Sequence, residues 1–198
     1  MAPDADAALM LAFQQGDEGA FRTLFERHAR AMVGFCHHFV REPARAEELA
    51  QDVFVKLYQA SARYRPSARF KTFLYRIASN HCLNELRRGE YSARAATAPG
   101  GDAPADPDAL ASSAPTPEAC AEGAALERAV RALLERLPEK QRAALVLCRL
   151  EGLSYEEIAE VLETSVSAVK SLVHRATVAA AEALAPFTPT GSAKEVLP

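Results

Sequence analysis

The chain has 198 residues, of which 49% are hydrophobic and 25% charged, with a formal net charge of -3. This is enough apolar material for one medium core or two small ones, which excludes wholesale disorder, and the near-neutral balance excludes a polycation that coats nucleic acid indiscriminately. Any nucleic-acid contact must be local.

The first residues, Met1 to Asp6, are acidic where a secretory leader is basic, and the apolar run Ala7 to Phe13 is too short for one. No run approaches the length of a membrane span, and the four cysteines, Cys36, Cys82, Cys120 and Cys148, lie far apart. The expectation is a cytoplasmic protein with reduced thiols.

Four helices are predicted in the first half, giving a domain over residues 1–89. Ala7 to Gln15 forms one, Asp17-Glu18 opens a second that runs to Val40, and Pro43 starts a third whose Leu49, Val53 and Leu57 recur four residues apart. After Arg65-Pro66, Ser67 can cap a fourth with Phe70, Phe73, Leu74 and Ile77 on one face, ending near Arg88. The polar side of the third helix carries Glu47, Glu48, Gln51, Asp52 and Gln59. An acidic face of this kind suits a protein partner.

The fourth helix is different. From Ser61 to Arg94 the bases Arg63, Arg65, Arg69, Lys71, Arg76, Arg87, Arg88 and Arg94 face only Glu85 and Glu90, a surplus of about six positive charges inside an acidic chain. Arg76, Asn80, Asn84 and Arg87 recur on one helix face, with Tyr75 beside them. Guanidinium groups, amides and an aromatic ring together suit single-stranded DNA, whose bases stack and expose their edges.

Residues 90–124 change to Ala, Pro, Gly, Ser and Asp with almost no large apolar side chain, and read as a flexible, acidic linker. A second helical domain is expected over residues 125–186, with residues 187–198 as a tail. Leu126, Val130, Leu133, Leu134 and Leu137 mark a helix that Pro138 interrupts, and Gln141 to Leu150 a second, stopped by Glu151-Gly152. Ser154 and Glu157 form a capping box for a third, and Ser165 caps a last helix with Val166, Val169, Val173, Ala176 and Ala180 on one stripe. No useful strand-like alternation occurs, so the class is all-α, two small helical domains.

The short turn around Glu163-Thr164, with small Ala159 before it and inward Val169 after it, fits a helix-turn-helix. Ser167, Ala168, Ser171, His174 and Arg175 then face outward, with Lys170 at the flank and no acid from Ser165 to Ala181. Such a helix can enter the major groove, its amino end toward base edges and its cations toward phosphates. Glu163 stands where glycine is common, so the turn calls for a non-glycine residue in a strained conformation or a looser path.

Taken together, Ala46-Glu47-Glu48-Leu49-Ala50-Gln51-Asp52-Val53-Phe54 and Phe70-Lys71-Thr72-Phe73-Leu74-Tyr75-Arg76-Ile77-Ala78 with Asn80 and Arg87-Arg88 resemble region two of extracytoplasmic-function sigma factors. Leu137-Pro138, Gln141-Arg142, Glu151 to Ala159, Val169-Lys170-Ser171 and His174-Arg175-Ala176 resemble region four. The resemblance implies an alternative sigma factor with no catalysis, cofactor or metal of its own. It implies that Glu48, Gln51 and Asp52 dock on the clamp helices of the largest RNA polymerase subunit, with the flap of the second-largest subunit as a further contact. It implies that Arg69, Lys71, Tyr75, Arg76, Asn80, Asn84, Arg87 and Arg88 capture the melted minus-ten element, and that the linker occupies the RNA exit path. Ser165, Ser167, Ala168, Lys170, Ser171, His174 and Arg175 would read the minus-35 element, and a cognate anti-sigma factor is a further candidate partner. Leu172 and Thr177 stand where many relatives carry arginine, and Ser167-Ala168 where a Gly-Thr pair is frequent, so the resemblance does not carry over the phosphate grip or the base preference of this helix.

Two rival readings have distinct signatures. A helix-turn-helix regulator that leaves the housekeeping sigma factor in place binds duplex DNA alone, whereas a sigma factor of this type binds promoters well only with core polymerase. A metal enzyme built on Cys36, His37, His38, His81 and Cys82 lacks a ligand spacing that converges on a metal and any accompanying nucleophile.

Overall fold

The computed structural model describes residues 4–40, 42–66, 69–95 and 117–187, with backbone alone for 89–95 and 117–122. Among these residues there is no strand. Eight α-helices follow in order: α1 Ala5–Gln14, α2 Glu18–His37, α3 Pro43–Ala60, α4 Phe70–Ala95, α5 Pro117–Arg136, α6 Glu139–Arg149, α7 Tyr155–Val161 and α8 Val166–Leu184. The first four pack as one bundle and the last four as another. Residues 96–116, the middle of the expected linker, lie outside the described residues, as do Ser67 and the expected tail 188–198.

Local chemistry sets most boundaries. Asp17 caps α2 through Ala20 N–H, Pro43 opens α3, and Ser165 caps α8 through Ala168 N–H. Ser154 and Glu157 complete the capping box of α7 in both directions. Gly152 stops the path after α6 at φ 67, in the left-handed region that glycine enters without steric cost. At the α4 start the working cap is one that sequence spacing does not reveal. Asp4 accepts from Asp6 and Ala7 N–H through Oδ1, and its Oδ2 accepts from Phe70 N–H at 2.7 Å, so one carboxylate caps α1 and α4 together. Beyond the expected end near Arg88, α4 continues to Ala95, and α5 begins at Pro117 inside the expected linker. Composition does not mark these ends, since residues 89–95 hold two alanines beside a glycine and residues 117–124 three beside a proline and a glycine, a mixture of strong and weak helix formers.

The buried side chains form one cluster, to which the first four helices give Met10, Leu24, Met32, Phe35, Leu49, Val53, Leu57, Phe70 and Leu74 and the last four Leu133, Leu147, Ile158, Val161, Val169 and Val173. Each buried Leu or Ile removes apolar surface worth about 1.5–3 kcal/mol from water. Leu126, expected on the core stripe of α5, is exposed, since the stripe makes contact only from Val130 onward. Cys36 and Cys82 lie side by side in the amino-terminal core with sulfurs 3.7 Å apart. Their mutual contact and their burial push the Cys82 thiol well above its ordinary range, so the pair packs as thiols and not as nucleophiles.

Candidate nucleic-acid interface

The acidic side of α3 is open to solvent. Glu48, Gln51 and Asp52 are exposed, while Ala46, Leu49, Val53 and Leu57 on the opposite side are buried. Glu48 receives a hydrogen bond from Arg45 at 2.6 Å, and Arg45 also reaches Glu85 on α4. Asp52 meets His81 of α4 at 3.2 Å. Val55, also exposed, lies one turn on from Gln51 and Asp52 and adds an apolar contact to the same face.

On α4 the expected strand-reading residues divide. Asn80, Asn84, Arg87 and Arg88 are exposed and Arg76 is half-buried, so the i, i+4, i+8, i+11 pattern does place amides and guanidinium groups along one side. Tyr75 departs from the expected exposed aromatic. Its ring is 1% exposed and meets Phe35 edge-on at 5.0 Å, because the position also falls on the side of α4 that packs on α2. Its hydroxyl donates to the Glu151 carboxylate, and burial together with that carboxylate pushes the phenol above its ordinary range. Lys71 lies over the Tyr75 ring at 5.5 Å, donates to the Glu151 carbonyl at 2.6 Å, and stands 3.8 Å from the Glu151 carboxylate. Arg69 meets Glu157 at 3.7 Å and Arg87 meets Glu139 at 3.4 Å.

Glu139, Glu151 and Glu157 belong to α6, to the turn after it, and to α7, so the carboxy-terminal bundle presents its acids to the cations of α4. Arg142, nearly buried, adds a bond to the Phe39 carbonyl at 3.5 Å from the same bundle. In the sequence, Glu151-Gly152 reads as a helix stop and as part of the region-four resemblance. Nothing in it pairs Glu151 with residues 76 and 80 positions away, because a contact between two bundles leaves no periodicity behind.

The last two helices form the expected helix-turn-helix. Ala159, Val169, Val173 and Ala176 are buried and Val166 is half-buried, so α8 crosses α7 with its apolar stripe inward. The turn passes through Glu163 at φ 50, a non-glycine residue in the left-handed region, and closes with Thr164 N–H on the Ala159 carbonyl at 2.9 Å. Ser165, Ser167, Lys170, Ser171, His174 and Arg175 are exposed and Ala168 is half-buried. Arg175 Nε donates to the Ser171 carbonyl at 3.2 Å, which lays the guanidinium along the outer face. In this structure the α8 face is open while the cations of α4 are engaged.

Among the described residues no group of three or more His, Cys, Asp or Glu is arranged to hold a metal ion, and no helix is long and apolar enough to cross a membrane. Residues 24–90 match the family model of sigma-70 region 2, and residues 127–178 that of sigma-70 region 4. The chain is 34% identical over 190 residues to the RNA polymerase sigma-H factor of Pseudomonas aeruginosa, covering 93% of this chain and 96% of that one. It is 33% identical over 183 residues to the ECF RNA polymerase sigma-E factor of Haemophilus influenzae, covering 86% and 90%. Among solved structures, CnrH in complex with the cytosolic domain of CnrY aligns over 93% of this chain and 100% of its own, with a TM-score of 0.68 and 26% identity. The sigma factor RpoE of Bartonella quintana, in complex with the anti-sigma factor NepR, shares the fold at a TM-score of 0.66 and 22% identity.

Proposed function

Because the chain belongs to the extracytoplasmic-function sigma factors of the sigma-70 family, we propose a division of its surface among polymerase, melted DNA and duplex DNA. As a member of that family it is an alternative sigma factor, it directs RNA polymerase to promoters, and it is not an enzyme. The regulator that leaves the housekeeping sigma factor in place gives way to that membership. Its place of work is the cytoplasm, where polymerase and promoters are. Glu48, Gln51 and Asp52 on α3 dock on the clamp helices, and the carboxy-terminal bundle meets the flap. Arg69, Lys71, Arg76, Asn80, Asn84, Arg87 and Arg88 hold the melted minus-ten strand, while Tyr75 packs on Phe35. A cognate anti-sigma factor is a further partner, and the cleft of about 730 Å³ between the bundles, lined by His38, Arg45, Glu85 and Glu135 among others, offers it an opening.

The observation that carries this reading is the open, acid-free face of α8, with Ser165, Ser167, Ala168, Lys170, Ser171, His174 and Arg175 set outward by the turn at Glu163. Arg175 and Lys170 supply phosphate or base contacts to the minus-35 duplex, and each bidentate base contact is worth about 1–3 kcal/mol. The test is transcription with core polymerase from a promoter that depends on its minus-35 element. Arg175→Ala and Lys170→Ala are expected to depress it. Losing a phosphate contact weakens binding to all sequences and flattens its salt dependence, whereas losing a base contact relaxes one position. Val169→Ala gives the contrast, since emptying a buried site lowers the melting temperature before it touches specificity. Wild-type transcription by both surface variants, with holoenzyme intact, removes α8 as the reader.

A further inference from the structure

Three of the cations that the proposed function assigns to melted DNA, Arg69 just before α4 and Lys71 and Arg87 on it, are already paired with carboxylates of the carboxy-terminal bundle. Lys71 meets Glu151 through both the backbone carbonyl and the side chain, Arg69 meets Glu157, and Arg87 meets Glu139. The Tyr75 hydroxyl, which a strand could otherwise approach, donates to the Glu151 carboxylate. Glu151 is the centre of this arrangement, with a side chain only 14% exposed. Its place is fixed by backbone and not by its own side chain: Glu151 N–H donates to the Val146 carbonyl, Leu153 N–H to the Leu147 carbonyl, and Gly152 turns the chain at φ 67. A lysine and two arginines held by carboxylate oxygens are groups that the anionic oxygens of phosphate also satisfy.

We propose that the carboxy-terminal bundle shields the strand-reading face of α4 in the free chain, with Glu139, Glu151 and Glu157 occupying the positions of DNA phosphates. The inference rests on the reading of α4 as the minus-ten face. The shield is a reversible one. Arg69 and Arg87 are mostly solvent-exposed and Lys71 is 43% exposed, so each ion pair is screened and contributes modestly, and polymerase can displace the bundle. The α8 face stays open in this state, so the shield acts on single-stranded DNA and leaves duplex reading untouched. Free chain that is mostly closed binds a strand with an affinity lowered by the open fraction.

The experiment uses the full chain without polymerase. Glu151→Gln and Glu157→Gln each remove one shielding charge. Glutamine at 157 keeps the capping box, and the turn at 151 is held by backbone, so both variants retain their helices. Glu160→Gln, exposed on the same helix as Glu157, makes the same change of net charge away from α4. Two readouts are taken: polarization of a short fluorescein-labelled single-stranded DNA carrying a minus-ten sequence, and the radius of gyration by small-angle scattering. The expected result is binding tightened about three- to tenfold and an expanded particle for the first two variants, with Glu160→Gln like wild type. Equal tightening by all three, or no expansion in any, overturns the shield. Expansion without strand binding by any variant leaves the shield standing and overturns the reading of α4 as a DNA face.

Discussion

Glu163 sits at φ 50 with a charged side chain where the backbone favours glycine, a conformation that costs an L-residue about 1–2 kcal/mol. Glu163→Gly should therefore raise the stability of the chain by up to about 1 kcal/mol, the relief of strain being partly offset by the greater entropy of glycine in the unfolded chain. Denaturant unfolding checks it, with the midpoint rising at constant slope, while Glu163→Ala should bring no gain. The sequence left two outcomes open at this turn, a strained non-glycine residue or a looser path, and the structure takes the first at Glu163. Asp4 was not readable in the same way. Its cap of Phe70 spans 66 positions, and sequence proximity had pointed to Ser67, which lies outside the described residues.

Among the helices, α3 tests how an element separates folding from docking. Its buried stripe of Ala46, Leu49, Val53 and Leu57 holds the amino-terminal bundle together, and its exposed Glu48 and Asp52 make only surface pairs with Arg45 and His81. Charge reversal at Glu48 and Asp52 together should shift the melting temperature little, because exposed pairs are worth about 0–1 kcal/mol, and should weaken association with core polymerase. A pull-down of the folded double variant decides it, and unchanged core binding would remove α3 as the docking face. Helix existence was legible, and for α3 and α8 so was the facing, since their apolar periodicity states which side is buried. The end of α4 and the start of α5 were not, because Gly89, Ser92 and Gly123 weaken the helix signal there while the alanines beside them permit it. Tyr75 shows the remaining limit: a position on the border between two faces is settled by the neighbour it packs on, here Phe35.

In the whole molecule, two bundles meet through Lys71, Tyr75, Arg69 and Arg87 on one side and Glu139, Glu151 and Glu157 on the other, while residues 90–124 connect them. Removing part of Gly100 to Pro115 should leave thermal unfolding unchanged, because the cores lie outside it, and should lower transcription by restricting how far apart the two promoter elements can be reached. Melting curves and in vitro transcription on one promoter check both halves; loss of a folded bundle would refute the division into two domains. The number of bundles was legible from the composition shift after Glu90, but their contact was not, since its cations and carboxylates read in sequence as ordinary solvated faces and its buried part leaves no period of its own. That contact also gives the protein an optical signal. The chain has no tryptophan and five tyrosines, so its near-ultraviolet emission is phenolic. A phenol hydrogen-bonded to a carboxylate is quenched, and Tyr75 is so bonded to Glu151 only while the bundles touch. Separation should brighten tyrosine emission, which makes opening of the free chain visible in real time without any label on the protein.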